Sequence, residues 1–247
     1  MSNKPQNVYD NPEFFTEYIA ARDRKGSLND LIEQPEIKKL LPDISGKRVL
    51  DLGCGYGTNC AEFADAGAAR VVGIDLSDKM LGVAKSEHAD DRITFMHMDM
   101  SDVDCLDGKF DLIFSSLAFH YVRDFENLTK KLYDKLNDDG ELLFSQFHPL
   151  HTAGGDGFDF DEEGNAVSYK LRDYVRPGIR RIDWIVDGVE IYHRTFGDIT
   201  NSLSDAGFVI RRIVEPMPSE EAIAVRPKLT KHFIRPCYLI VSAIKKL

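Results

Sequence analysis

The chain has 247 residues, 43% of them hydrophobic and 29% charged, with a formal net charge of -10 at pH 7. That length buries a substantial core as one domain with an insertion, and the acidic balance argues against a nucleic-acid phosphate backbone as substrate, because such binding needs a basic footprint. No apolar run approaches the length of a membrane span, so no membrane partner is expected.

The first segment, Met1 to Asp10, is polar and holds no apolar signal-peptide core. Asn11-Pro12-Glu13 places a cap before Pro at the first helical position and opens a helix carrying Phe14, Phe15, Tyr18 and Ile19. Ser27 and Asp30 have the spacing of a capping box for a second helix, which makes residues 1–45 a helical amino-terminal cap. Next comes Arg48-Val49-Leu50-Asp51-Leu52-Gly53-Cys54-Gly55-Tyr56-Gly57, a buried strand ending in three glycines at alternate positions. Glycine turns the backbone through dihedrals closed to other residues and admits a ligand close to the main chain. Thr58 then caps a helix bearing Cys60, Phe63 and Ala64, with Gly67 beyond its end.

Strands follow at Arg70 to Asp75, Ile93 to His97 and Phe110 to Phe114, the last leading into Ser115. Asp75 falls roughly 20 residues past the glycine loop, where nucleotide-binding folds place an acid on ribose hydroxyls. A carboxylate accepts from both hydroxyls at once, and Ser77 already supplies the next helix cap. His97 alternates with apolar neighbours and is expected to have no chemical role. The dinucleotide fingerprint G-x-G-x-x-G requires glycine at position 58, which is Thr58.

The run Asp51-Leu52-Gly53-Cys54-Gly55-Tyr56-Gly57 instead resembles the first motif of class I S-adenosylmethionine-dependent methyltransferases. The resemblance extends over the whole chain, through Ser115 to Tyr121, Phe147-His148-Pro149, Tyr192-His193-Arg194-Thr195 and Arg235-Pro236, and is closest to a group of bacterial small-molecule methyltransferases of uncharacterised substrate. It implies a doubly wound, Rossmann-like seven-stranded α/β sheet with a terminal antiparallel hairpin. It also implies S-adenosyl-L-methionine as cofactor, held by Asp51, Gly53, Cys54, Gly55, Gly57, Asp75, Leu76, Met80, Asp99, Met100 and Ser115. Asp99 would accept from the adenine amino group, the Met100 amide would bond a ring nitrogen, and Leu76 and Met80 would line the adenine faces.

Within the cofactor core of residues 46–147, Phe125, Leu128, Leu132 and Leu136 mark a helix stopped by Gly140, and Glu141 to Phe147 form the fifth strand. Residues 148–194 break the repeating pattern and suggest an inserted strand-rich lid, or a dimerisation flap. Tyr169 to Val175 is expected to be a strand, followed by a turn at Pro177-Gly178. Asp187-Gly188 signals a hairpin between Ile182 to Val186 and Val189 to His193. Asp159 to Gly164 begins like a calcium loop, but Lys170 stands where the twelfth, bidentate acid is required, so an exposed acidic turn is expected. Arg172, Arg176, Arg180 and Arg181 are either a carboxylate grip or, more simply, a solvated strand face. Residues 195–247 supply a helix from Thr195 to Ala206, ended by Gly207, and the last two strands, Phe208 to Val214 and Tyr238 to Ile244.

Methyl transfer from a sulfonium is an in-line displacement that demands positioning and needs no metal. An oxygen acceptor also needs a base, for which His120, His148 and His193 are the candidates. The pair His148 and His151 lacks a third metal ligand. Tyr18, Arg22, Trp184 and Tyr192 are the candidate acceptor contacts, since aromatic residues line small-molecule pockets. Cys54, Cys60, Cys105 and Cys237 show no C-x-x-C or zinc-ligand spacing and fit reduced thiols of a cytoplasmic protein. The expected partner is a small-molecule methyl acceptor, with the chain a monomer or homodimer. The rival class is a cofactor-binding regulatory or assembly protein without turnover.

Overall fold

The computed structural model describes residues 6–22 and 26–246, apart from the side chains of residues 21, 22, 155 and 156. Helix α1 (Pro12–Arg22) and a π-wound turn (Asn29–Glu33) running into α2 (Gln34–Leu40) precede β1 (Arg48–Leu52), α3 (Thr58–Asp65), β2 (Arg70–Asp75), α4 (Asp78–Glu87) and β3 (Ile93–His97). Then come β4 (Phe110–Ser115), α5 (Phe125–Lys135), β5 (Leu136–Phe147), α6 (Pro149–Thr152), β6 (Gly154–Phe160) and β7 (Ala166–Arg172). The chain ends with β8 (Gly178–Trp184), β9 (Val186–His193), α7 (Phe196–Asp205), β10 (Phe208–Val214), α8 (Glu220–Val225) and β11 (Tyr238–Lys245).

Seven strands form one sheet in the order β10-β11-β5-β4-β1-β2-β3. The five from β5 to β3 run parallel, and β11 is antiparallel to both of its neighbours. Alternate residues of the central strands serve opposite faces. Leu50, Leu52, Ile74 and Phe144 pack with Leu128 and Leu132 of α5 and Leu203 of α7. Val49, Val71, Leu112 and Phe114 pack with Ile37 of α2 and Cys60 and Phe63 of α3. Burial on both faces explains why these strands are apolar runs rather than alternating ones. Because the chain passes from β3 back across β1 to β4, the strand order reverses between β1 and β4, and a crevice opens at their carboxyl ends.

The local signals at the amino terminus behave as the sequence suggests. Asn11 Oδ1 accepts from the amides of Glu13 and Phe14 at 2.9 and 3.2 Å, and Ser27 and Asp30 exchange reciprocal capping bonds of 3.2 Å.

Four local expectations change. Thr58 is the first helical residue of α3 rather than its cap; Gly57, at φ 86°, stands at the cap, a left-handed conformation that a side chain disfavours. Helix α5 stops at Lys135, not at Gly140, because buried Leu136 already pairs with Phe110 in the sheet, and Asp139 takes the positive φ of 59°. Glycine at 140 serves close approach instead, since a Cβ there would lie 2.8 Å from the Asn137 carbonyl.

The hairpin of β8 and β9 pairs Gly178 with His193 and Trp184 with Val186, turning at Ile185 (φ 63°), while Asp187-Gly188 sits in the register irregularity. Both registers keep the same faces inward, so alternation cannot choose between them. Tertiary packing of Trp184 against Phe14, Tyr9 and Tyr18 does. The strand expected at Tyr169 to Val175 is β7, ending at Arg172 before Asp173 (φ 52°), and it pairs with β6. Strand β6 carries Gly154, Gly155 and Gly157, a composition that hides a strand from propensity. The insertion is therefore two separate hairpins. The acidic turn between β6 and β7 is present, with Asp161 accepting from the Asn165 amide at 2.7 Å.

Candidate active site

The carboxyl ends of the strands open onto a cavity of about 930 Å³. Its β1 and β2 side is made by backbone geometry. Gly53, Gly55 and Gly57 all have positive φ, at 70, 55 and 86°. A Cβ on Gly53 would lie 2.5 Å from the Ala118 Cβ, and one on Gly57 would lie 2.7 Å from the Phe95 ring, whereas Gly55 has nothing within 4 Å. The first and third glycines thus let the loop pack against the protein. The second lines open cavity.

Asp75 braces this loop. Its Oδ2 accepts from the Gly55 amide at 2.9 Å and its Oδ1 from the Ser77 amide at 2.8 Å, and burial raises its pKa. The Leu76 amide is a further partner of this carboxylate, and Asp75 lines the cavity. Asp51 lies wholly buried at the end of β1. Its Oδ2 accepts from the Cys60 thiol at 3.3 Å, and its Oδ1 has no donor among the described residues. Burial pushes this carboxyl up to about 7. Leu76, Met80, Met98 and Met100 add an apolar wall.

The amino-terminal segment straps across this end. Asn7 Nδ2 donates to the Leu76 carbonyl at 2.8 Å, and Asp10 Oδ1 accepts from Ser77 Oγ at 2.6 Å and from the Lys79 amide at 3.2 Å. Tyr9, Tyr18 and Trp184 then roof the cavity in edge-to-face contact, with ring centroids 5.1 Å apart for Tyr9 and Tyr18 and 5.9 Å for Tyr18 and Trp184. The Tyr9 and Tyr121 hydroxyls meet at 3.3 Å, and burial raises the pKa of both.

On the β4 and β5 side, His120 is buried and stacked on Phe147 at 3.9 Å. The Phe147 amide donates to its Nδ1 at 3.4 Å, while its Nε2 has no partner among the described residues. That bond assigns the ring proton to Nε2, and burial holds the imidazole well below its usual pKa. Beneath it, Glu33 accepts from Ser116 Oγ at 2.7 Å and Ser145 Oγ at 2.6 Å. Ser145 Oγ also receives the Leu117 amide at 3.0 Å, holding Leu117 at φ 54°.

Several candidate residues lie elsewhere. Ser115 Oγ is buried and donates to the Leu52 carbonyl at 2.8 Å. Asp99 caps the short helix from Met100 by accepting from the Ser101 amide at 2.8 Å. His148 is occupied on both nitrogens, Nδ1 by the Leu150 amide at 3.0 Å and Nε2 by Glu215 at 2.7 Å. His193 is held between Thr152 Oγ1 at 2.7 Å and the Tyr174 carbonyl at 2.8 Å. With Tyr192 it lines a different depression, beside Arg194. Burial lowers the pKa of both histidines. The side chain of Arg22 falls outside the described residues. The lid arginines form a surface face: Arg181 pairs with Glu190 at 2.7 Å and Arg176 with Asp173 at 3.3 Å. Half-exposed His97 contacts Asp78 at 2.9 Å, and no cluster of three metal-ligating residues occurs among the described residues.

Sequence reasoning overlooked Tyr9, Tyr121, Glu33 and the basic residues ahead of β11. Tyr121 and Arg235 stood in motifs with a signal; Tyr9, Glu33 and Arg226 make contacts across 83 to 200 positions of chain.

A seven-stranded, doubly wound sheet with a glycine loop and an acid at successive strand ends defines an α/β protein that seats a nucleoside cofactor at its topological switch point. Residues 49–140 match the family model described as a methyltransferase domain. An uncharacterised protein of Haemophilus influenzae is 38% identical over 229 residues, 90% of each chain. A solved S-adenosylmethionine-dependent methyltransferase from Mesorhizobium loti is 38% identical, with a TM-score of 0.78 over 86% of this chain and 97% of that one. Demethylmenaquinone methyltransferase of Clavibacter sepedonicus is 32% identical over 165 residues, 63% of this chain and 66% of the relative. The chain belongs to the S-adenosylmethionine-dependent methyltransferases.

Proposed function

We propose that the protein transfers a methyl group from S-adenosylmethionine to an oxygen or nitrogen atom of a small molecule. The observation that carries this reading is the single roofed cavity running from the glycine loop to Tyr9, Tyr18 and Trp184. Its roof, latched by Asp10 on Ser77, favours an acceptor small enough to be enclosed over a macromolecule. The hairpin of β8 and β9 and the amino-terminal helix together act as the lid.

The chain's own residues fit this cofactor. The open face of Gly55 admits it to the backbone, and the Asp75 carboxylate lining the cavity suits the ribose hydroxyls. Leu76, Met80, Met98 and Met100 line the cavity where the adenine would lie, whereas Asp99 caps the following helix outside that lining. The orphaned Asp51 Oδ1 suits a cationic amino group. Cys54 lines the cavity, and Gly57 and Ser115 support the cradle from outside that lining. When bound, S-adenosylmethionine supplies an electrophilic methyl group; the protein's task is alignment and exclusion of water.

His120 acts as a hydrogen-bond donor. With Nδ1 committed to the Phe147 amide, Nε2–H is the ring's one donor and cannot take a proton away. His148 and His193 are saturated and lie outside the cavity lining. With none of these three histidines serving as base, the reading favours an acceptor atom whose lone pair is already free. Incubating the protein with a metabolite extract and methyl-labelled cofactor, followed by mass spectrometry, tests the reading: a labelled product of low mass is expected. Repeated absence of one, with cofactor binding intact, would remove it.

A further inference from the structure

The two ends of the cavity differ in charge. Its β1 and β2 end carries Asp75; the segment entering β11 contributes Arg226, Lys231, His232 and Arg235. This concentration stands out in a chain of net charge -10. None of Arg226, Lys231 and Arg235 has a carboxylate partner among the described residues. Arg226 is exposed and donates to the Gly26 carbonyl at 3.1 Å, whereas Arg235 is only 8% exposed.

The Arg235 guanidinium is held by neutral contacts. One of its NH groups donates to His151 Nδ1, and the Phe158 and Tyr169 rings of the β6–β7 hairpin lie 5.2 and 4.9 Å from it. Its Nε has no partner, and neither has Nε2 of His232 beside it. Lys231 Nζ sits over the same Phe158 ring at 5.7 Å. A buried cation without a counter-ion is costly, and Arg is the side chain suited to planar oxyanions. Burial first, and then the mutual field of these groups, lowers His151 to about 3 and His232 to about 4. An anion placed among them would relieve that field.

We infer that the methyl acceptor carries an oxyanion, a carboxylate or phosphate group, seated against Arg235 and Lys231 at the β11 end of the cavity. The inference rests on the small-molecule reading above and adds the acceptor's charge and attachment point. Strand β11 lies three strand positions from β1, about 14 Å at the usual spacing. The anion therefore anchors the acceptor remote from the glycine loop. The β6–β7 hairpin, which covers no part of the glycine loop's own lining, acquires a purpose: its rings fix the guanidinium.

Calorimetry on the protein saturated with S-adenosylhomocysteine, using benzoate, phenyl phosphate and benzamide as probes, tests this. At least one anion is expected to bind tenfold or more tightly than benzamide, and the better of the two tells carboxylate from phosphate. Arg235→Gln and Lys231→Gln should each erase most of that preference while changing affinity for S-adenosylhomocysteine less than twofold. The half-exposed Lys231 keeps the test open if the Arg235 variant fails to fold. Equal binding of benzamide, no anion binding by the wild type, or a preference that survives both substitutions would overturn the inference. Methylation of neutral compounds in the extract experiment would then leave the small-molecule reading standing without it.

Discussion

The β1–β2 end of the cavity and its β5–β11 end are built by different means. The first is a backbone construction: three left-handed glycines, and one carboxylate that takes two amides of nearby loops. Its parts lie within about two dozen residues of chain. The second is assembled from side chains brought in by separate elements: His120 after β4, Phe147 at the end of β5, Arg235 before β11, and Trp184 and Tyr9 from the roof. At Gly53 and Gly57 this backbone cradle tolerates almost no change, since a side chain added there collides with the protein itself. A pocket made of side chains can be altered one group at a time, and that is the end at which a family sharing one cofactor can diversify its acceptors.

The largest effect is expected at the first end. Gly53→Val places a Cβ where Ala118 already stands, 2.5 Å away, at a φ of 70°. A left-handed side chain costs ~1–2 kcal/mol and overpacking ~1–3 kcal/mol more. Thermal melting and calorimetry should show a lower midpoint and lost affinity for S-adenosylhomocysteine; unchanged binding would move the cradle elsewhere. Asp75→Ala comes next, weakening S-adenosylhomocysteine by ~1.5–3 kcal/mol, about tenfold to a hundredfold. Full affinity in that variant would leave Asp75 as a loop brace alone.

His193→Gln sharpens the boundary between the two ends and the rest of the molecule. Its ring bonds to Thr152 and Tyr174 are structural, so ~1–3 kcal/mol of stability is expected to go while kcat stays within about twofold. A collapse of kcat with the melting midpoint intact would return His193 to the chemistry. His120→Ala should lower kcat/KM by about threefold to tenfold, the worth of one hydrogen bond, with cofactor affinity unchanged. Because burial holds His120 neutral well below its usual range, its contribution is present throughout neutral pH and is lost only on acidification. The rate should therefore be flat from about pH 6 upward with respect to this group. A rising limb through pH 6 to 7 that disappears in the variant would instead make His120 a base.

Much of the cofactor end was legible because its signals are local. Glycine spacing, an acid at the end of the next strand, and serine caps depend on neighbours a few positions away, and a buried parallel strand shows itself as an apolar run. The seven-stranded architecture followed from the alternation of such runs with helices. Misreadings arose where local rules admit two answers. Asp187-Gly188 is a strong turn signal, yet the hairpin turns at Ile185, because both registers bury the same face and the contact of Trp184 with the roof selects one.

The candidate bases show the same limit more sharply. Three histidines near strand ends are equivalent in sequence, and only the fold reveals that His148 and His193 spend both nitrogens on protein partners while His120 keeps one. By itself the amino-acid order determined the sheet and the cradle, because those depend on backbone dihedrals that residue type restricts directly, while the cofactor followed from the family resemblance that the glycine motif carries. The tertiary structure alone decided which side chains share the acceptor end and how its cations are left unpaired, since the placement of Tyr9, His120, Trp184 and Arg235 around one cavity is set by packing across the whole chain and leaves no periodicity in it.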